Sequence, residues 1–170
     1  MMPGQNYVYE CKKCGNLLSN GSLLSGNTNG AKIFSDGKRI APMLPEFPNL
    51  TKCKKCKSFL WLDKLEEIGT FDSDDSKNIE WASADNAEFL TLAEYYNAIE
   101  AGIAEDDDDL FFIRQQIWWA YNDRIRKGEE IFQSLDDEEE WRENCQKLIA
   151  ILDQSDFNQK IIKAELFRNF

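Results

Sequence analysis

The sequence contains no histidine, the side chain that most often acts as a general base and most often binds a catalytic zinc ion. It also lacks a Ser-His-Asp set, a glycine-rich phosphate loop and a helical His-Glu pair. Carboxylates are abundant, but abundance at surface positions does not make a catalytic pair. The sequence therefore predicts a protein that is not an enzyme.

Long apolar runs are also missing. No stretch approaches the roughly 18 consecutive apolar residues of a membrane-spanning helix. The first ten residues, 1–10, lack the apolar core of a signal peptide. We therefore expect a cytoplasmic protein with no membrane partner. Its 170 residues, 42% of them hydrophobic, suffice for one medium domain or two small ones.

Two Cys-x-x-Cys pairs, separated by 38 residues, carry the strongest chemical signal. A Cys-x-x-Cys turn directs both sulfur atoms to one point, so two such turns supply four thiolates at tetrahedral corners. Zinc accepts this arrangement, and four protein ligands leave no position open for a catalytic water. The spacing therefore predicts a structural Zn²⁺ site. Its ligands are Cys11, Cys14, Cys53 and Cys56.

Three other uses of cysteine compete with a zinc site. Disulfides require an oxidising compartment, which the absence of a signal peptide disfavours. A redox motif needs a single Cys-x-x-Cys pair beside a βαβ pattern. Iron is the closest competitor, because rubredoxin-type sites use the same four ligands. Zinc is the expected ion, and iron is the alternative.

Five lysines lie within or beside the two cysteine turns. Four thiolates around one divalent ion carry a net charge of −2, which neighbouring cations and backbone N–H groups relieve. The same cations could instead contact nucleic-acid phosphates. Both interpretations apply to Lys12, Lys13, Lys54, Lys55 and Lys57.

Residues 7–64 resemble a zinc ribbon, with Cys-x-x-Cys-Gly on one hairpin and Cys-x-x-Cys on another. The resemblance implies a small β module that serves nucleic-acid binding, protein docking or scaffolding. Lys57 stands where ribbons often carry glycine, so we expect a less regular second turn. The long segment between the pairs predicts an additional hairpin over 31–43, turning at Asp36-Gly37.

Charge divides the chain into two parts. Residues 1–64 hold ten basic and four acidic side chains, for a net charge of +6, whereas 65–170 hold ten basic and 27 acidic side chains, for −17. This asymmetry predicts two modules with different surfaces. Between the two modules, the sequence predicts an acidic linker over 65–87, which includes the stretch FDSDDSKN. We expect Trp81 to anchor this linker by packing against a core.

The remainder of the chain has helical periodicity. Thr91 and Glu94 form a capping box, and Gly102 closes the first helix. The acidic run 105–109 suits the N-terminus of a second helix, which ends at Gly128, better than it suits a calcium loop. A third helix starts near Asp136, and Asp156 with Gln159 can cap a fourth. Cys145 lies on the apolar face of this third helix, so we expect it to be a small buried hydrophobic residue.

These observations predict an α+β protein: a four-cysteine ribbon module over 1–64, an acidic linker over 65–87, and an acidic module of about four helices over 88–170. The last stretch, KAELFRNF, resembles the first helix of a tetratricopeptide-type hairpin. The combination of a zinc ribbon with a helical module resembles uncharacterised bacterial proteins. We expect a non-catalytic protein-interaction module with a structural zinc ion and a protein partner. The alternative is nucleic-acid binding through the lysine-rich ribbon.

Overall fold

A computed structural model describes residues 1–72, 81, 83–153 and 155–168. Strands occupy the first part of the chain and helices the second, which confirms the α+β prediction. The chain forms two compact units. The first consists of Met1–Lys32 and Ile40–Leu90, and the second consists of Ile33–Arg39 and Thr91–Phe170.

Short strands build the first unit. The main sheet has the order β10-β3-β2-β9, with β2 antiparallel to both β3 and β9 and with β10 parallel to β3. Two two-stranded pairs accompany it among the described residues, β1 with β4 and β7 with β8, whereas β5 and β6 pair over 32–40, of which 33–39 belong to the second unit. The strand bounds are β1 Met2–Pro3, β2 Asn6–Glu10, β3 Leu17–Asn20, β4 Leu23–Ser25, β5 Lys32–Ile33, β6 Arg39–Ile40, β7 Leu50–Lys52, β8 Phe59–Trp61, β9 Glu67–Phe71 and β10 Asp85–Asn86.

Strand β9 lies inside the range that the sequence predicts to be a linker. Residues 67–71 pair with β2, from Asn6 opposite Phe71 to Tyr9 opposite Glu67. The sequence signal for this strand is weak, because it is short, contains a glycine and is followed by acidic turn residues. The acidic stretch FDSDDSKN covers 71–78, and all of it beyond residue 72 lies outside the described residues.

Trp81 packs against β9, in agreement with its predicted role as an anchor. A Cβ atom added at Gly69 would lie 2.1 Å from the indole ring of Trp81. Real Cβ contacts are not this short, so only glycine lets the ring rest on the strand.

The predicted hairpin over 31–43 is confirmed by the pairing of β5 with β6. The N–H of Phe34 donates to the carbonyl of Lys38 at 2.9 Å, and Gly37 has a φ of +81°. The turn therefore uses the conformational freedom of the glycine in the Asp-Gly pair. Although these residues lie between the two cysteine pairs in sequence, 33–39 belong to the same unit as the helices.

The second unit contains four helices among its described residues. Thr91 and Glu94 form the predicted capping box, Ser134 caps the third helix, and Asp156 accepts from the N–H of Gln159 at 2.9 Å before the fourth. Gly102 follows the first helix with a φ of +66°. The helices are α1 Leu92–Glu100, α2 Asp107–Arg126, α3 Leu135–Ile151 and α4 Phe157–Arg168.

Aromatic and aliphatic side chains of α2 and α3 form the core of this unit. Cys145 is fully buried, as its position on an apolar face predicted. The phenol of Tyr121 lies 2.9 Å from a carboxylate oxygen of Asp137, which also pairs with Arg124. The fully buried side chains of this core include Ile113, Ile117, Trp118, Tyr121, Cys145 and Leu148.

The hairpin tip packs against α2 through a polar network. The side chain of Asp36 is only 2% exposed, and its carboxylate accepts from Asn122 at 2.7 Å and from Arg126. The indole N–H of Trp119 donates to the Asp36 carbonyl at 3.0 Å. Lys38 is paired with Asp123 at 2.5 Å. These bonds explain why residues 33–39 belong with the helices.

None of the helices in the described residues is long and apolar enough to cross a membrane.

Candidate metal centre

Both cysteine pairs occupy turns between antiparallel strands. The first pair, Cys11 and Cys14, lies between β2 and β3, which pair with each other. The second pair, Cys53 and Cys56, lies between β7 and β8, which also pair. The hydrogen bonds between the paired strands therefore hold both ends of each turn, so that each cysteine pair has a fixed position on its hairpin.

The two turns share two backbone hydrogen bonds. In the first, the N–H of Gly15 donates to the Cys11 carbonyl at 2.8 Å, and the N–H of Cys11 donates to the carbonyl of Asn16 at 2.9 Å. In the second, the N–H of Lys57 donates to the carbonyl of Cys53 at 2.9 Å, and the N–H of Cys53 donates to the carbonyl of Ser58, also at 2.9 Å.

Lys57 adopts the conformation that glycine adopts in the first turn. Its φ is +63°, compared with +68° at Gly15, so the expectation of a less regular second turn was wrong. A left-handed backbone costs an ordinary residue about 1 kcal/mol more than it costs glycine. The hydrogen bonds of the turn hold Lys57 in this conformation despite that cost.

The four predicted ligands come together. Their sulfur atoms all lie within 4.8 Å of one another. The separation is 3.6 Å between Cys11 and Cys56, and 3.7 Å between Cys14 and Cys53. Since a Zn–S bond is about 2.3 Å long, the edge of a tetrahedral group of four sulfurs around zinc is about 3.8 Å. The donor set therefore fits one tetrahedral thiophilic ion, a requirement that both zinc and iron meet.

The same geometry bears on the alternatives. All five cysteines are free thiols, so no disulfide framework holds this chain. A redox pair would need two sulfur atoms, whereas here four converge. Cys11 and Cys53 are fully buried, which keeps water away from half of the donor atoms.

Hydrogen bonds divide the four sulfurs into unequal environments. The hydroxyl and the backbone N–H of Ser58 both form hydrogen bonds with the sulfur of Cys56, and these bonds lower the pKa of Cys56 to about 6. Burial raises the pKa of Cys14 to about 12, with a further contribution from the neighbouring sulfurs. A divalent ion binds thiolates and would displace the remaining protons, so metal binding at this centre releases protons.

The five lysines near the cysteines are exposed on the two turns. Lys54 forms an ion pair with Glu88 at 2.6 Å, and this hydrogen bond raises the pKa of Lys54. Within the part of the chain that the structure describes, the other four form no ion pair. These four are Lys12, Lys13, Lys55 and Lys57.

Ser58 is a neighbour of the sulfurs that the sequence did not indicate. Its hydroxyl oxygen lies 2.8 Å from the sulfur of Cys56 and 3.7 Å from that of Cys11. Aligning the two Cys-x-x-Cys motifs in sequence places Ser58 opposite Asn16. The alignment does not indicate which of these two side chains faces the sulfur atoms.

No family model matches this chain, and neither the curated proteins nor the solved structures contain a match to it.

Proposed function

We propose that the four cysteines hold one structural Zn²⁺ ion and that the chain is a non-catalytic protein-interaction module. The convergence of four sulfur atoms within 4.8 Å carries this proposal. Four thiolates saturate a tetrahedral ion, so the centre has a structural role and offers no coordination position to a substrate. When bound, the ion crosslinks two strand pairs that are distant in sequence and thereby stabilises the first unit.

Charged side chains around a cavity of the second unit form pairs with one another. The cavity has a volume of about 250 Å³, and apolar side chains line it together with the polar and charged ones. Arg126 pairs with Asp36, and Glu165 accepts from Ser35 at 2.7 Å and pairs with Arg168 at 2.5 Å. These bonds link the hairpin tip to α2 and to α4, and this is the structural role that we assign to them.

Helix α4 is the surface that we assign to a protein partner. It buries Leu166, whereas Phe157 is 74% exposed and Ile161 is 49% exposed. At 100° per residue, Phe157 and Ile161 lie close together on the face opposite Leu166. An exposed aromatic–aliphatic pair on one helix face is suited to a partner with an apolar groove.

Metal content per chain tests the first part of this proposal. Protein purified without added metal is expected to contain one zinc per chain, and Cys14→Ser is expected to lose it and to unfold the first unit. Cys145→Ala provides the matched control, because this cysteine is buried in the other unit. A content of one iron per chain would mean that the ion of the proposal is iron and not zinc. A folded protein without metal would overturn the proposal.

Photo-crosslinking tests the interaction surface. A photoreactive amino acid at position 161 is expected to form one discrete adduct in cells, and Phe157→Asp is expected to abolish it. The same amino acid at Lys147, an exposed position on α3, provides the control. Equal adduct patterns from both positions would contradict α4 as the partner surface.

Nucleic-acid binding is the second candidate, and the exposed lysines of the cysteine turns favour it. Binding through them would show a salt-dependent shift with single-stranded or duplex oligonucleotides. Lys12→Glu combined with Lys55→Glu is expected to abolish that shift. The control variant combines Lys127→Glu with Lys160→Glu, which makes the same charge change at exposed positions of the helical unit. Absence of a shift at low salt for the unmodified protein would exclude this candidate.

A further inference from the structure

The two cysteine turns, CKKCGN and CKKCKS, share two backbone hydrogen bonds and differ at their last two residues. Asn16 and Ser58 occupy equivalent positions, since the carbonyl of each accepts from the N–H of the first cysteine of its turn at 2.9 Å. The amide of Asn16 turns away from the sulfurs and donates to Asp85 at 2.9 Å. The hydroxyl of Ser58 turns toward them instead, and it lies 2.8 Å from the sulfur of Cys56.

We propose that Ser58 is a positioning residue of the metal centre, whose hydroxyl donates a hydrogen bond to the ligand sulfur of Cys56. This inference rests on the proposed metal binding. A metal-bound thiolate has no proton to give, so the hydroxyl is the donor in that state. This hydrogen bond would draw negative charge away from one sulfur of a metal centre whose net charge is −2. Hydrogen bonds of this kind, from residues that are not ligands themselves, adjust the affinity of a site for its metal.

The exposed lysines of the turns do not replace such a donor. Lys57 and Lys55 are exposed, so their ammonium groups are screened by water from the sulfur atoms. Ser58 is instead half-buried, and its hydroxyl also lies 3.7 Å from the Cys11 sulfur, which belongs to the other turn. One hydroxyl is therefore placed at the point where the two turns meet.

Cobalt(II) substitution tests this role, because the thiolate-to-cobalt charge-transfer band reports the charge on the sulfurs. Ser58→Ala and Ser58→Val remove the hydroxyl, so the band is expected to move to lower energy and the affinity for Co²⁺ to fall roughly tenfold. Ser58→Thr keeps a hydroxyl and is expected to restore both values. Alkylation of the metal-loaded centre by iodoacetamide is expected to accelerate in the Ala and Val variants and not in the Thr variant.

Asn16→Ala is the matched control, because it alters the equivalent position of the other turn without removing a bond to sulfur. It is expected to leave the charge-transfer energy unchanged, whatever its effect on thermal stability. Equal band energies in the Ser, Thr, Ala and Val proteins would overturn the role of Ser58. Absence of a tetrathiolate cobalt spectrum in the unmodified protein would instead overturn metal binding itself, so the two failures are distinguishable.

Discussion

The carboxylate of Asp36 pairs with the guanidinium of Arg126, which follows it by 90 residues in the chain. Asp36 lies at a hairpin tip between the two cysteine pairs, whereas Arg126 is the last residue of α2. The guanidinium also stacks on the ring of Phe34 at 4.1 Å and pairs with Asp123 at 2.6 Å. The helical unit is thus completed by a segment that lies between the two cysteine pairs in the sequence.

Asp36→Asn is expected to destabilise the helical unit by roughly 2–4 kcal/mol. The substitution preserves shape but removes a buried charge, so that, among the described residues, the guanidinium of Arg126 keeps its ion pair with Asp123 and loses the one with Asp36. Chemical denaturation followed by tryptophan fluorescence measures the change. Glu143→Gln breaks an exposed pair with Lys147 on α3 and is expected to leave the free energy of unfolding nearly unchanged. Similar losses in the two variants would contradict a buried pairing at Asp36.

Lys57→Gly is expected to stabilise the metal-loaded protein by about 0.5–1 kcal/mol. The backbone at this position is left-handed, and glycine adopts it without the steric cost of a Cβ. Gly15→Ala places the opposite change in the equivalent turn and is expected to destabilise by a similar or larger amount. Thermal unfolding of the loaded protein measures both. A loss of stability in Lys57→Gly would mean that the lysine side chain stabilises the turn.

Asp137 is expected to contribute to acid unfolding of the helical unit. Burial acts to raise the pKa of Asp137, but hydrogen bonds from Arg124 and the Gln133 N–H outweigh burial and hold the pKa below its usual value. Because the folded-state pKa is depressed, this stabilisation is present above about pH 4 and is lost as the pH falls below it. Asp137→Asn is expected to lower the melting temperature at about pH 7 and to leave it nearly unchanged at about pH 2. An equal loss at both pH values would contradict the ionic contribution.

Gly69→Ala is expected to destabilise the first unit by about 1–3 kcal/mol. The new methyl group would overlap the Trp81 ring, which cannot retreat as a flexible side chain can. Trp81→Ala removes the obstacle, so the double variant is expected to lose less than the sum of the two single losses. A strictly additive double-mutant cycle would show that the ring and the strand do not constrain each other.

Helix boundaries were predictable because their signals are local. The capping box at Thr91 and the glycine at 102 act within one turn of the helix, so the sequence contains everything that places them. The burial of Cys145 followed from helical periodicity for the same reason. Strand β9 was missed because a short strand is stabilised by its partner β2, about 60 residues earlier in the chain, and sequence alone does not indicate this pairing.

The sequence by itself determined the two Cys-x-x-Cys turns, the α+β class and the hairpin at Asp36-Gly37, since each depends on residue type at a fixed short spacing. Only the tertiary structure decided that residues 33–39 belong with the helices, that Lys57 takes the place of a glycine, and that Ser58 rather than Asn16 faces the sulfurs. Each of these depends on contacts between distant segments, where burial, hydrogen bonding and charge pairing select one arrangement among several that the local sequence allows equally.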